Sequence, residues 1–350
     1  MKRARVYSEI WAGITHFLVD LTCTAMLARI STRLPHEALI ACAILYNCLA
    51  FAFQLPIGAF ADLLHSTRIT AALGCVMIAL GVFSSTPLIM CLLLGFGNAC
   101  FHVGAGRESL KIGGAGAVGR FVAPGALGIF LGPRLTNFSA PIFSVALLLL
   151  GAASFLHRHK ESTKTDSSLR GVSLVLIAGC MFFTVLLRSY IGTVLRFPKL
   201  SQLHWALIFS LCIFTGKFIG GMLADRYGML RSSLYTQLAA SVLLTLSVIY
   251  PILAFPGILL FNTTMAVTAT YLYKIVPNRP GTMFGLTTAA LFLGVLPRLL
   301  GWKNPLFCVW GIGFLCLLST VFLLGGLILG ERRHSHACLA GIVAGTDLVS

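Results

Sequence analysis

Long stretches of this chain carry no charge. Residues 38–61, 69–106, 135–157, 232–273 and 304–330 contain no Asp, Glu, Lys or Arg. A membrane-spanning helix needs roughly 20 mainly apolar residues. The runs 69–106 and 232–273 are each long enough for two spans, and Pro87 and Pro251 near their middles mark the turns. Five further apolar segments tolerate a charge: about 8–29 with Asp20, 113–133 with Arg120, 172–195 with Arg188, 203–224 with Lys217 and 281–300 with Arg298. The pattern predicts an all-α polytopic membrane protein of twelve transmembrane helices. One connection is both long and polar, from His157 to Arg170. It divides the chain into a bundle over 1–157, a cytoplasmic linker over 158–171, a second six-helix bundle over 172–331 and a cytoplasmic tail over 332–350.

Composition agrees and narrows the class. Apolar residues make up 57% of the 350, charged residues 10%, and the mean hydropathy is +0.92. Soluble domains carry roughly 25% charged residues, so too few polar side chains are present to cover a globule. The net charge of +16 is spread thinly between apolar runs, which suits cytoplasmic loops better than a nucleic-acid surface. With the N-terminus inside, seventeen of the 26 Lys and Arg fall on the cytoplasmic side and seven outside, while Arg188 and Lys217 lie within spans. This bias places both termini in the cytoplasm and the chain in the cytoplasmic (inner) membrane. The eleven cysteines form no CxxC pair, so no metal site is expected from them. No cleavable signal peptide is evident. There is no HExxH and no phosphate-binding Gly-rich loop with Lys, so the chain reads as neither a hydrolase nor an ATP-driven pump. No cofactor is expected, and the expected state is a monomer in the lipid bilayer.

The halves repeat each other. Gly58-Ala59-Phe60-Ala61-Asp62 matches Gly221-Met222-Leu223-Ala224-Asp225, Pro87 matches Pro251, and Pro133-Arg134-Leu135 matches Pro297-Arg298-Leu299, all at nearly one offset. Duplicated bundles belong to carriers whose halves rock about a site near the bilayer midplane. Gly221 to Gly228, followed by Arg231, resembles the Gly-x-Leu-Ala-Asp-Arg-x-Gly loop motif of the major facilitator superfamily. The first copy, Gly58 to Asp62 with Arg68 beyond it, lacks the Arg after Asp and the later Gly. An Asp at a helix end can accept hydrogen bonds from a neighbouring helix N-terminus or pair with Arg. The resemblance implies a gating loop made by Gly58, Asp62, Arg68, Gly221, Asp225, Arg226, Gly228 and Arg231. Gly125, Gly128, Gly132 and Pro133 are similar to the superfamily's antiporter motif, which bends a helix. His16-Phe17-Leu18-Val19-Asp20 and Gly97 to His102 are similar to the fosmidomycin-resistance branch.

The resemblance implies a secondary active transporter working by alternating access, with a small-molecule substrate, protons as coupling ion and efflux as a direction. A transport-inactive sensor or scaffold of the same fold is the alternative. Asp20 is the one carboxylate deep in a span, and a charge there is costly unless paired or protonated. His16 lies one turn earlier on the same face. The pair reads as a proton-coupling site. Arg188, in the span equivalent to the first, reads as a cavity residue that binds an anionic group, pairs with Asp20 or snorkels outward. His102, Asn98 and Asn262 complete the expected substrate cavity, and Lys217 is expected to snorkel to the cytoplasmic headgroups.

Overall fold

The computed structural model describes residues 2–64, 67–135, 139–156, 172–195, 197, 200, 202–302 and 306–346. The linker expected over 158–171 lies outside them. The first half contains α1 (Lys2–Ser31), α2 (His36–Asn47), α3 (Gln54–Leu64), α4 (Thr67–Gly81), α5 (Pro87–Ile112), α6 (Gly114–Leu131) and α7 (Ala140–Ala153). The second contains α8 (Val172–Val194), α9 (Leu203–Tyr227), α10 (Met229–Ser247), α11 (Ala254–Asn262), α12 (Met265–Ile275), α13 (Pro280–Leu299) and α14 (Val309–Thr346). Two spans are broken. A π-helical turn, Cys48–Ala52, joins α2 to α3, and Thr263-Thr264 separates α11 from α12.

Helical segments occupy all twelve expected places, but they are unequal. Nine segments of the described residues are long and apolar enough to cross a membrane. Arg68–Gly81 and Pro141–Ala153 are apolar but short. At 15 residues α4 reaches only about 22 Å, against a hydrocarbon core of about 30 Å. The remaining segment, α10, is diluted by Arg231, Gln237 and several Ser and Thr. The final helix also runs past the expected end at 331, so residues 332–346 continue α14.

Sequence signals explain the ends. Pro87 and Pro280 stand in the first turns of α5 and α13, where a missing N–H costs nothing. Gly113 and Gly114 between α5 and α6 both take positive φ, 121° and 74°, which L side chains rarely adopt. That turn aims the first N–H groups of α6 at the other half. Within the halves α1 packs on α6, α4 on α5, and α8 on both α13 and α14. Across them α6 runs along α9, and α3 along α13. One buried cluster, with Trp11, Met90, Phe101 and Phe121, fills the first bundle and reaches α12 and α13. A smaller one around Leu187, Ile191, Leu244 and Ile312 lies in the second. Large apolar side chains such as Ile14, Leu149, Val175 and Trp310 face outward, as lipid-facing surface requires.

Candidate functional site

A cavity of about 490 Å³ lies between the halves, with His16, Asp20, His102, Arg188, Lys217 and Asn262 among its walls. Phe51, Ile129, Phe209, Phe261 and Phe284 supply much of the apolar remainder. The volume falls within the roughly 300–1,000 Å³ of small-molecule sites.

Asp20 is held from three sides. His16 Nε2 stands 3.0 Å from its Oδ2, Asn98 Nδ2 donates to its Oδ1 at 3.2 Å, and His102 Nε2 is 3.8 Å from Oδ1. The two histidines also meet each other, Nε2 to Nε2, at 2.8 Å. Their outer nitrogens face backbone carbonyls. His16 Nδ1 lies 2.7 Å from the Phe121 carbonyl oxygen and His102 Nδ1 lies 2.9 Å from that of Asn98. A carbonyl only accepts, so each Nδ1 carries a proton. The Nε2–Nε2 bond then requires one proton more than two neutral rings hold. The cluster thus sets two imidazoles and a carboxylate where they can share a proton between the Nε2 atoms and Asp20. Its donor atoms lie within 4.8 Å of one another, a set that could hold a metal ion. The 2.8 Å between ring nitrogens fits a shared proton better, since ligands of a tetrahedral zinc stand about 3.3 Å apart.

The other expected cavity residues separate. Asn262 lines the cavity and donates to the Ile258 carbonyl at 2.8 Å. Asn98 does not line it. It sits behind Asp20, between that carboxylate and the Tyr46 hydroxyl at 3.3 Å. Arg188 neither snorkels nor pairs with Asp20. Its Nη1 donates to Thr264 Oγ1 at 3.1 Å. Lys217 also departs from expectation, because it faces the cavity rather than the headgroups. Ten residues separate it from the end of α9 at Tyr227, about 15 Å along the axis, too far for its side chain to span.

The loop motifs meet the opposite half. Asp62, buried at the end of α3, accepts from the N–H of Gly281 at 2.9 Å and from the N–H and hydroxyl of Thr282, each at 2.8 Å. Arg107, 2% exposed, adds its Nε at 3.2 Å and donates to the Ala61 carbonyl. Asp225 at the end of α9 accepts from the N–H of Ala115 at 2.7 Å and of Gly116 at 2.8 Å. Each acid therefore caps a helix of the other half, where unpaired N–H groups and the macrodipole favour a negative charge. Gly58 packs against Gly281 and Gly221 against Ala115, with no room for a Cβ. Gly228 takes a φ of 86° in the turn to α10. Arg226 and Arg231 are exposed, the Arg226 guanidinium lies over the Tyr227 ring, and Arg68 lies beside Glu108 on a small cleft.

The glycines of α6 serve contact with α1. A Cβ on Gly125 would stand 2.7 Å from His16 Cε1, one on Gly128 2.9 Å from the Leu21 nitrogen, and one on Gly132 2.5 Å from the Leu21 oxygen. Pro133 belongs to the 3₁₀ turn that ends α6, and the proline inside the helix is Pro124. Beside them Arg120 makes a two-pronged pair with Glu9 at 2.7 and 3.0 Å.

No protein-family model matches the chain. The uncharacterised MFS-type transporter YfnC of Bacillus subtilis (strain 168) is 25% identical over 284 residues, 69% of this chain and 67% of that protein. Among solved structures, the E. coli fucose:proton symporter FucP matches with a TM-score of 0.64 at 12% identity, covering 94% of this chain and 98% of that one. The human organic anion transporter MFSD10 (TETRAN) gives 0.63 at 16%, covering 90% and 99%. A bacterial homologue of the iron transporter ferroportin, in an outward-facing state, gives 0.59 at 12%, covering 93% and 99%. The name of the sequence relative supports the major facilitator superfamily, and the solved structures speak to the fold. Helices without a strand among the described residues, two bundles joined through reciprocal Asp caps, and these superpositions lead to one statement: the chain is an all-α, multi-pass membrane protein with the major facilitator fold.

Proposed function

We propose that the chain is a secondary active transporter that moves a small solute across the cytoplasmic membrane by alternating access, coupled to protons through Asp20 and His16. The observation that carries this reading is the Asp20–His16–His102 cluster, buried yet bordering the cavity between the halves. A carboxylate in that place is tolerated because the shared proton neutralises it. Losing the proton leaves an uncompensated charge, and gaining it restores the pair, so the cluster couples proton occupancy to the packing of α1, α5 and α6. In the positive-inside orientation the Asp62 and Asp225 caps close the cytoplasmic end, and the cavity walls at Leu195, Phe197 and Leu200 lie toward the outside. The likeness of the His16–Asp20 and Phe101–His102 motifs to the fosmidomycin-resistance branch favours efflux.

The test uses proteoliposomes with an internal pH dye, challenged with a panel of sugars, organic acids and organic cations. Wild-type protein is expected to move protons with at least one solute. Asp20→Asn, reconstituted to the same density, is expected to move none. Full proton movement by Asp20→Asn, or solute movement indifferent to an imposed pH gradient, would overturn the coupling role.

A further inference from the structure

The charges around the cavity do not balance. Asp20 is engaged inside its own cluster by His16, His102 and Asn98. Two cations remain. Arg188, on α8, is 7% exposed, and its Nε and Nη2 are buried without any hydrogen-bond partner. Lys217, on α9, shares the same cavity. Among the described residues neither has an ion-pair partner. A guanidinium held this way is costly, because it has given up water on two N–H groups and gained nothing in return.

The unpaired atoms have a geometry. Thr264 occupies Nη1, which leaves the opposite edge, Nε with Nη2, buried and unpartnered on a side chain that lines the cavity. Those two nitrogens form the side-on fork of the guanidinium, which matches the two oxygens of a carboxylate. Lys217 contributes a second positive charge without directional demand. The rest of the wall is mostly apolar, aliphatic side chains with Phe51, Phe209, Phe261 and Phe284 among them. A sugar could accept from the fork but would bring no negative charge to balance the two cations. An organic cation would be repelled by both charges.

We propose that the transported solute is an amphipathic organic carboxylate. Its acid head bridges Nε and Nη2 of Arg188 beside Lys217, and its apolar body lies against the phenylalanines. This rests on the transporter reading and names its substrate class.

The test measures binding by the purified full-length chain in lipid nanodiscs, without any gradient, by calorimetry. The probes are octanoate, 4-phenylbutyrate and indole-3-acetate, each beside its amide and its amine, with chloride and inorganic phosphate as further arms. At least one carboxylate is expected to bind, and its amide and amine roughly tenfold or more weaker, the loss of about one charge-assisted bond pair. Arg188→Lys keeps the charge but not the fork and is expected to weaken the carboxylate by a similar factor. Lys217→Gln is expected to weaken it less. Thermal unfolding of each variant establishes that it is folded, and the comparison of acid, amide and amine on wild-type protein needs no variant. Binding of no carboxylate at millimolar concentration, equal binding of the amide or amine, or equal binding of chloride or phosphate would each overturn the proposal. Carboxylate binding without coupled proton movement would refute the coupling role and leave this assignment intact. Proton-driven movement of a cation with no carboxylate binding would do the reverse.

Discussion

The two Asp caps differ in a way that gives an ordered prediction. Asp62 is buried, holds three donors from α13 and has Arg107 against it. Asp225 is exposed and holds two. In Asp62→Asn one carboxylate oxygen becomes an NH2 facing other donors, and the buried Arg107 loses its counter-charge. Breaking a buried pair from one side costs about 3–5 kcal/mol. The cost falls on the closed arrangement alone, because separation of α3 from α13 readmits water. The closed-to-open ratio at that end should therefore fall roughly 100- to 4,000-fold. Asp225→Asn gives up charge-assisted bonds in water, worth about 0.5–1.5 kcal/mol, or roughly 2- to 12-fold. Spin labels at Leu64→Cys and Asn278→Cys, both exposed and on opposite sides of the Asp62 cap, report the separation by pulsed dipolar spectroscopy in nanodiscs. The native cysteines are replaced beforehand. Asp62→Asn should convert a short, narrow distance distribution into a long one, and Asp225→Asn should broaden it slightly. An unchanged distribution in Asp62→Asn, or a larger effect from Asp225→Asn, would refute the reasoning.

Two other predictions follow from close contacts and exposure. Gly125→Ala places a methyl group against His16 and Asp20, so it should destabilise by about 1–3 kcal/mol and abolish proton movement in reconstituted protein; wild-type coupling in that variant would show the cluster to be slack. Cys308 is exposed in the connection before α14, and in a Cys338→Ser background a membrane-impermeant maleimide should label it in intact cells. Labelling only after permeabilisation would reverse the assigned orientation.

The helices were legible because the bilayer leaves little choice: backbone polar groups must be satisfied within each span, and Pro87, Pro251 and Pro280 stand at turns or helix starts. Lengths were less legible: α4 and α7 are shorter than their apolar runs suggest. At the site, His16 and Asp20 were readable because they share one helix face, whereas their meeting with His102 depends on α1 crossing α5 at that depth. Arg107 was unreadable as a partner of Asp62, because a charge at the end of an apolar run looks the same whether it meets headgroups or a carboxylate. The degenerate motif copy proved the better buried. Its Asp takes an arginine partner from another helix, and spacing along the chain carries no trace of that. Lys217 had a usable signal in its depth along α9.

The interruptions in the second and tenth spans lie where a solute would lodge. Phe51 belongs to the π-helical turn and borders the cavity, and Thr264, at the gap between α11 and α12, holds the Arg188 guanidinium. Helices yield most readily where their ladder of backbone bonds is already irregular. A guest would thus sit against Phe51 in one interruption and against the Arg188 side chain held from the other, while the lower part of the second span stays pinned at Asp62. Filling the chamber and flexing its walls become one mechanical event.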